Sequence, residues 1–283
     1  MHLRFGIFPS PAVEDLEDTM TAVEVADEAG LDLIGIQDHP YVDRFLDVMT
    51  LITWLAAATE SVTFLPDVAN LPLRPPAVLA KQASSLDTLT AGRFELGLGA
   101  GGNWDAISAF GGERRSPGDA VAATREAMTV MRSVWGDGAN VDGDHYHLRG
   151  VHPGPEAPHR IPISIGAYGP RMLELIGAHA DGWLPSLPFV PPDELAAKHA
   201  IIDHAAEREG RDPADIRRMY NIGGAITDGA GSGFLQGPEN QWIDQLSWLR
   251  DVHRIDTFIL WPQGDVVDQT HRFAAVASRM RTG

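Results

Sequence analysis

Short apolar runs bounded by turn residues alternate with longer stretches of helical period along the whole chain, a pattern of repeated strand–helix units. The runs predict strands over residues 3–8, 33–38, 62–68, 94–99, 162–166, 182–185, 219–226 and 257–261. They are continuously apolar rather than alternating, which predicts strands buried on both faces. Helical period fills the intervals, over 13–29, 77–89, 121–135, 171–180, 192–208, 240–252 and 267–280. In the first of these, Leu16, Met20, Val23 and Ala26 form one stripe opposite Glu and Asp, and Gly30 follows as a stop signal. Eight such units in a chain of 283 residues predict an α/β fold of the closed (β/α)8 TIM barrel type, since each buried parallel strand needs a helix over its outer face. A doubly wound open sheet is the alternative. Two interruptions, an insertion at 136–160 with a hairpin pattern from Val141 to Leu148 and a Gly-rich loop at 228–238, are expected at the barrel mouth. Neither linker nor internal repeat divides the chain, so one domain over 1–283 is expected.

Charge narrows the function. Lys+Arg 22 against Asp+Glu 39 gives a formal charge of −17, which repels phosphate backbones and anionic lipid, so nucleic acid and membrane surface are set aside and a small-molecule partner is expected. The chain has no Cys, which removes disulfides, thiolate nucleophiles and Cys-ligated metals together. The N-terminus reads at once as a strand, with no signal peptide, and no apolar span is long enough for a bilayer, so a cytoplasmic protein is expected.

Four constellations carry candidate chemistry. Gly97-Leu98-Gly99-Ala100-Gly101-Gly102 fits a dinucleotide fingerprint by its letters. It lies on the fourth strand, though, and no acidic strand end follows at the spacing a ribose contact requires. Its glycines read either as a close approach to a flat or anionic ligand or as a tight turn. Asp38-His39 ends the second strand, where barrel enzymes place their chemistry; His39 suits proton transfer and Asp38 suits orienting it, or the pair simply forms a turn. Residues 165–171 join the fifth strand to a helix with Pro170 in its first turn, an arrangement that binds an anion such as phosphate or merely caps the helix. His145-x-His147 reads as a solvated hairpin, with no metal expected, and no G-x-S-x-G elbow is present.

Taken in order, Asp38-His39, the run Leu71-Pro72-Leu73-Arg74-Pro75-Pro76-Ala77-Val78-Leu79-Ala80-Lys81, Leu86-Asp87 with Gly92-Arg93, the glycines at 97–102, and residues 166–171 followed by Ala180-Asp181-Gly182-Trp183 resemble the bacterial luciferase-like monooxygenase superfamily. The similarity covers nearly the whole chain and is nearest the branch of oxidoreductases using the deazaflavin coenzyme F420, with FMN-dependent members as neighbours. The resemblance implies the same barrel, hydride transfer between F420 and a small organic substrate, and a homodimer. An FMN-dependent monooxygenase and a non-catalytic flavin-binding barrel are the alternatives. Carried over by residue, it makes Asp38 a partner of the cofactor ring and His39 the acid/base. Asn70 then faces the cofactor, Gly99, Gly101 and Gly102 lie beside its side chain, and Ala167, Tyr168, Gly169 and Arg171 lie at its phosphate. It also aligns Asp67 and Val68 with a bulge formed through a non-proline cis peptide and set behind the ring. Gly102-Asn103 departs from the acidic residue found there in the sugar-phosphate dehydrogenases, which puts sugar-phosphate oxidation in doubt.

Overall fold

The computed structural model describes residues 3–137, 140–150, 152 and 154–282. The part of the expected insertion at 138, 139, 151 and 153 lies outside them. Strands β1 (Arg4–Ile7), β2 (Leu33–Ile36), β3 (Thr63–Pro66), β4 (Ala69–Asn70), β5 (Leu96–Gly99), β8 (Ile163–Gly166), β9 (Gly182–Trp183), β10 (Arg217–Ile226) and β12 (Thr257–Pro262) form one sheet in the order β3-β2-β1-β12-β10-β9-β8-β5-β4. Every neighbouring pair on this path is parallel. The ring closes where Phe64 N–H donates to Arg93 O at 3.0 Å and Glu95 N–H donates to Phe64 O at 2.9 Å. The expected (β/α)8 barrel is therefore present, and closure excludes the open sheet.

The third strand is split. β3 pairs with β2, β4 pairs with β5, and a bulge at Asp67 and Val68 separates the two halves. Around the sheet run α1 (Leu16–Glu28), α2 (Val48–Ala56), α3 (Pro76–Leu89), α4 (Trp104–Ala109), α5 (Pro117–Arg132), α6 (Pro170–His179), α7 (Pro192–Arg208), α8 (Glu239–His253) and α9 (Val266–Thr282). The apolar period did not single out α2. It starts where Asp47 accepts a hydrogen bond from Thr50 N–H, and its residues are apolar on nearly every face, so periodicity was weak there. None of the described helices is long and apolar enough to cross a membrane.

Strand alternation sorts the core into two clusters. Phe5, Ile7, Ile34 and Ile36 point outward into the large layer under the helices. Leu33, Leu65, Met219 and Ile259 point inward with Phe8, Leu184 and Val68. The lower end of this interior holds a buried ion pair between Arg4 and Glu95 at 2.8 Å.

The two expected mouth segments part company. Residues 228–238 follow β10 and include the short strand β11 (Gln236–Gly237) paired to it. The hairpin of β6 (Val141–Asp142) and β7 (His147–Leu148) forms as expected, but in the connection from α5 to β8. Its turn is held against α5, where the Glu126 carboxylate accepts from the backbone N–H groups of Asp144, His145 and Tyr146. It is thus part of the outer layer.

Arg93 locks the strand closure. Its guanidinium donates to the carbonyls of Val62, Ala56, Thr59 and Thr90 and to Thr59 Oγ1, at 2.9–3.2 Å. Arg93→Ala should leave these acceptors unpaired and lower stability by about 3 kcal/mol. The check is urea unfolding, with a lower midpoint at an unchanged slope.

Candidate active site

The C-terminal ends of the strands surround a cavity of about 350 Å³ lined by Asp38, His39, Asp67, Val68, Asn70, Gly99, Gly101, Gly102, Ala167 and Tyr168, among others. Each is a residue the sequence had singled out. Gly169 and Arg171 are not on the wall. Gly169 is the N-cap of α6 just beyond Tyr168, and the Arg171 guanidinium lies near Gly118 at the start of α5.

The bulge sits at the centre of the cavity wall. The Asp67–Val68 peptide is cis, as the resemblance implied. The Val68 side chain lies against strands that carry no side chain opposite it. A Cβ on Gly99 would stand 2.6 Å from Val68 Cγ2, and one on Gly166 3.0 Å from Val68 Cγ1. Two of the glycines in the apparent fingerprint, Gly97 and Gly99, thus make room for the protein's own Pro66 and Val68. Gly102 has no neighbour where its side chain would be and is open to a ligand.

Asp38 lines the cavity, but its carboxylate is fully engaged. Arg74 grips it as a two-pronged fork, Nε to Oδ2 at 2.6 Å and Nη2 to Oδ1 at 2.7 Å, and Asn70 N–H donates to Oδ2 at 2.8 Å. Arg74 Nη2 also reaches Asp47 at 2.7 Å. Burial alone would lower the Arg74 pKa, but its two carboxylates outweigh this and raise it, so the cation is permanent. Asp38 therefore holds the end of the bulge in place. Arg74 was legible only as a letter in a run; its role needs the turn before α3 folded back over the end of β2.

His39 is half-buried beside it, with its ring stacked on Tyr41 at 5.4 Å and no side-chain hydrogen bond among the described residues. Burial holds its pKa below the ordinary 6.5, against the pull of the Asp38 charge. At neutral pH the imidazole is neutral, with one nitrogen free to accept a proton.

Asp67 faces the barrel interior. Asn221 Nδ2 donates to its Oδ1 at 3.0 Å and to Ser186 Oγ at 3.2 Å. Three buried acceptors on this wall have no hydrogen-bond partner among the described residues: Asp67 Oδ2, Asn70 Oδ1 and Asn221 Oδ1. The sequence reading missed Asn221 and Ser186. The signal for Asn221 was there, a lone polar residue inside the apolar run of β10.

Four tryptophans lie near strand ends or the loops that follow them. Trp183 and Trp242 are fully buried in the outer core, and Trp104 stands beside Gly101. Trp261 lines the cavity and, with Phe8 and Gln37, also borders a second space of about 450 Å³ carrying Asp15, Asp18, Asp265 and Arg44. Arg44 is itself paired with Glu14 at 3.1 Å.

The profile of the luciferase-like monooxygenases matches residues 3–230. A 5,10-methylenetetrahydromethanopterin reductase from Methanolobus tindarius is 33% identical over 194 residues, 68% of this chain and 56% of the reductase. An F420-dependent glucose-6-phosphate dehydrogenase from Gordonia bronchialis is 30% identical over 233 residues, 78% of this chain and 68% of that enzyme. The match thus spans little more than half the length of the reductase. A solved F420-dependent secondary alcohol dehydrogenase, in complex with an F420–acetone adduct, superposes with a TM-score of 0.88. That superposition covers 99% of this chain and 100% of that one, and at 18% identity it speaks to the fold.

Burial pushes the Asp67 carboxyl up to about 7, with the Asn221 hydrogen bond opposing. It should be protonated below neutral pH and charged above. Infrared difference spectra against pH should show a protonated-carboxyl band vanishing with a midpoint near 7, and Asp67→Asn should lack it.

Proposed function

The chain belongs to the luciferase-like monooxygenase family, and from that premise we propose that it is an oxidoreductase moving a hydride between coenzyme F420 and a small organic substrate, with the mouth cavity as its site. The observation that carries this reading is the cavity wall itself: unpartnered buried acceptors on Asn70 and Asn221 facing one space with the neutral His39. Relatives at 30% identity or more that are F420-dependent enzymes favour F420 over the FMN alternative.

The residues fit the cofactor. Orphaned Asn oxygens suit the N–H donors of a flat heterocycle, Val68 offers an apolar face, and Gly102 and Gly169 leave space for a phosphate-bearing side chain. When bound, F420 supplies a two-electron carrier that gives or takes a hydride. Asp38 and Arg74 keep the bulge fixed in the cavity wall that would receive the cofactor. His39 then holds or moves the substrate's proton at its free imidazole nitrogen, taking it from a hydroxyl on oxidation and returning it on reduction. Phe8 and Trp261, in tilted contact at 5.4 Å, present apolar surface to the cavity beside His39. The adjoining space, with three carboxylates and an arginine already paired, suits an uncharged substrate better than a sugar phosphate. That agrees with Gly102-Asn103 in place of an acidic residue.

The same reading has the protein as a cytoplasmic homodimer. Trp54 on α2 and Leu89 and Val78 on α3 are large apolar groups left exposed on neighbouring helices, which supports a partner surface there. Light scattering should give twice the chain mass, and Trp54→Asp should shift it toward the monomer.

Titration of the protein with F420 and with FMN, followed by tryptophan quenching, tests the cofactor; submicromolar FMN binding without F420 binding would overturn the assignment. His39→Ala should cut turnover about 100-fold while changing F420 affinity only a few-fold. In the oxidation direction the rate should rise with pH through a value below 6.5 and then level off, since the neutral imidazole is the active form. The variant should lose that limb. Gly169→Asp, whose added Cβ would meet no protein atom within 4 Å beyond its chain neighbours, should fold normally and weaken F420 at least tenfold by placing a carboxylate against its phosphate.

A further inference from the structure

We propose that Trp183 and Lys198 are positioning residues for anion recognition: they fix the carbonyls of Ala167 and Tyr168 from behind, so that the next two backbone N–H groups face the cofactor's phosphate. The inference rests on the reading of this loop as the phosphate site.

Peptide geometry carries the argument. Among the described residues only Asp67–Val68 and Gly154–Pro155 are cis, so the peptides after Ala167 and Tyr168 are trans. In a trans peptide the C=O and the following N–H point in opposite directions. Trp183 Nε1 donates to Ala167 O at 2.8 Å, which turns the Tyr168 N–H away from the indole. Lys198 Nζ donates to Tyr168 O at 3.1 Å, which turns the Gly169 N–H away from the ammonium. Ala167 and Tyr168 line the cavity whereas Trp183 and Lys198 do not; with the two carbonyls held toward those side chains, the opposed N–H groups are proposed to face the open side of the loop. Neither has an acceptor among the described residues. They extend the uncapped N-terminus of α6, where Gly169 contributes no side chain.

Both anchors are themselves held by α7. Trp183 is fully buried, and the His199 ring meets it edge-on at 5.2 Å. His199 Nδ1 accepts from Arg218 Nε at 3.1 Å, which places the imidazole proton on Nε2, and Arg218 is tied in turn to Asp203 at 2.5 Å. Burial and the Arg218 charge push His199 down to about 3, so this support does not titrate in the working range. One residue earlier on the same helix, Lys198 is steadied by Glu194 at 3.2 Å.

Trp183→Phe removes the N–H and keeps the ring; Lys198→Met removes the ammonium and keeps the stem. Each is titrated by fluorescence with F420 and with the deazaflavin riboside lacking phosphate. Each should weaken F420 about five- to tenfold and leave the riboside unchanged, and Lys198→Arg should restore F420 affinity. An equal loss for both ligands would show a merely structural role and overturn the proposal, as would no loss for either. If Trp183→Phe does not fold, Lys198→Met and its arginine rescue decide alone. If the protein binds FMN and not F420, the cofactor assignment fails while the same variants, titrated with FMN and riboflavin, still decide the positioning role. A wild-type protein with no preference for the phosphorylated ligand overturns both the anion site and this inference.

Discussion

The site depends on one steric constraint, that Val68 must project into a barrel whose neighbouring strands leave it room. Gly99 and Gly166 stand opposite its methyl groups, and any side chain at Gly99 would occupy the same space. Because side chains on parallel strands are registered across the sheet, this demand fixes small residues on two other strands. The bulge then ends at Asn70, whose N–H is held by the Asp38 carboxylate, and Asp38 is held by the Arg74 fork. A single irregularity in the third strand thereby ties together the ends of β2, β5 and β8, the three strands that carry His39, the open Gly102 and the α6 loop.

Charge follows the same economy. The chain is strongly acidic, yet Arg74, a fixed cation behind the cavity wall, is neutralised by two carboxylates before it can reach a ligand. On the proposed reading, what remains for an anion is backbone, at the start of α6. What remains inside is uncharged or titratable, a neutral imidazole and a carboxyl poised near neutrality by burial. In a poorly solvated space this arrangement favours transfer of neutral fragments with a proton, since an uncompensated charge there would be costly.

Much of this was legible in the sequence because it is local. Strand ends, Pro at helix starts and the Asp38-His39 pair are read within a few residues, and the barrel follows from their repetition. The parts that were not legible are long-range. That Gly97 and Gly99 serve Pro66 and Val68 rather than a ligand depends on contacts between strands some thirty residues apart. The place of Arg74 depends on a turn folding over a neighbouring strand. Trp183 sits on the outward face of a two-residue strand, where alternation is too short to read. Asn221 is the exception, since a polar side chain within an apolar run must find a buried partner, and it found Asp67.

On the proposed reading, the barrel also separates recognition from chemistry along its rim. The α6 side offers backbone donors fixed by a rigid outer helix, while the β1, β2 and β12 side offers Phe8, His39 and Trp261. Between them lies Val68, set by contacts that no loop controls. Substitutions around the second space, which shares Phe8, Gln37 and Trp261 with the cavity, can therefore change that wall without disturbing the bulge, because that region contributes no hydrogen bond to the Asp38, Asn70 and Arg74 cluster. A site built this way would keep the geometry of the proposed cofactor pocket while the wall beside it varies. That is why the family fold and cofactor can be read from this chain more readily than the identity of its substrate.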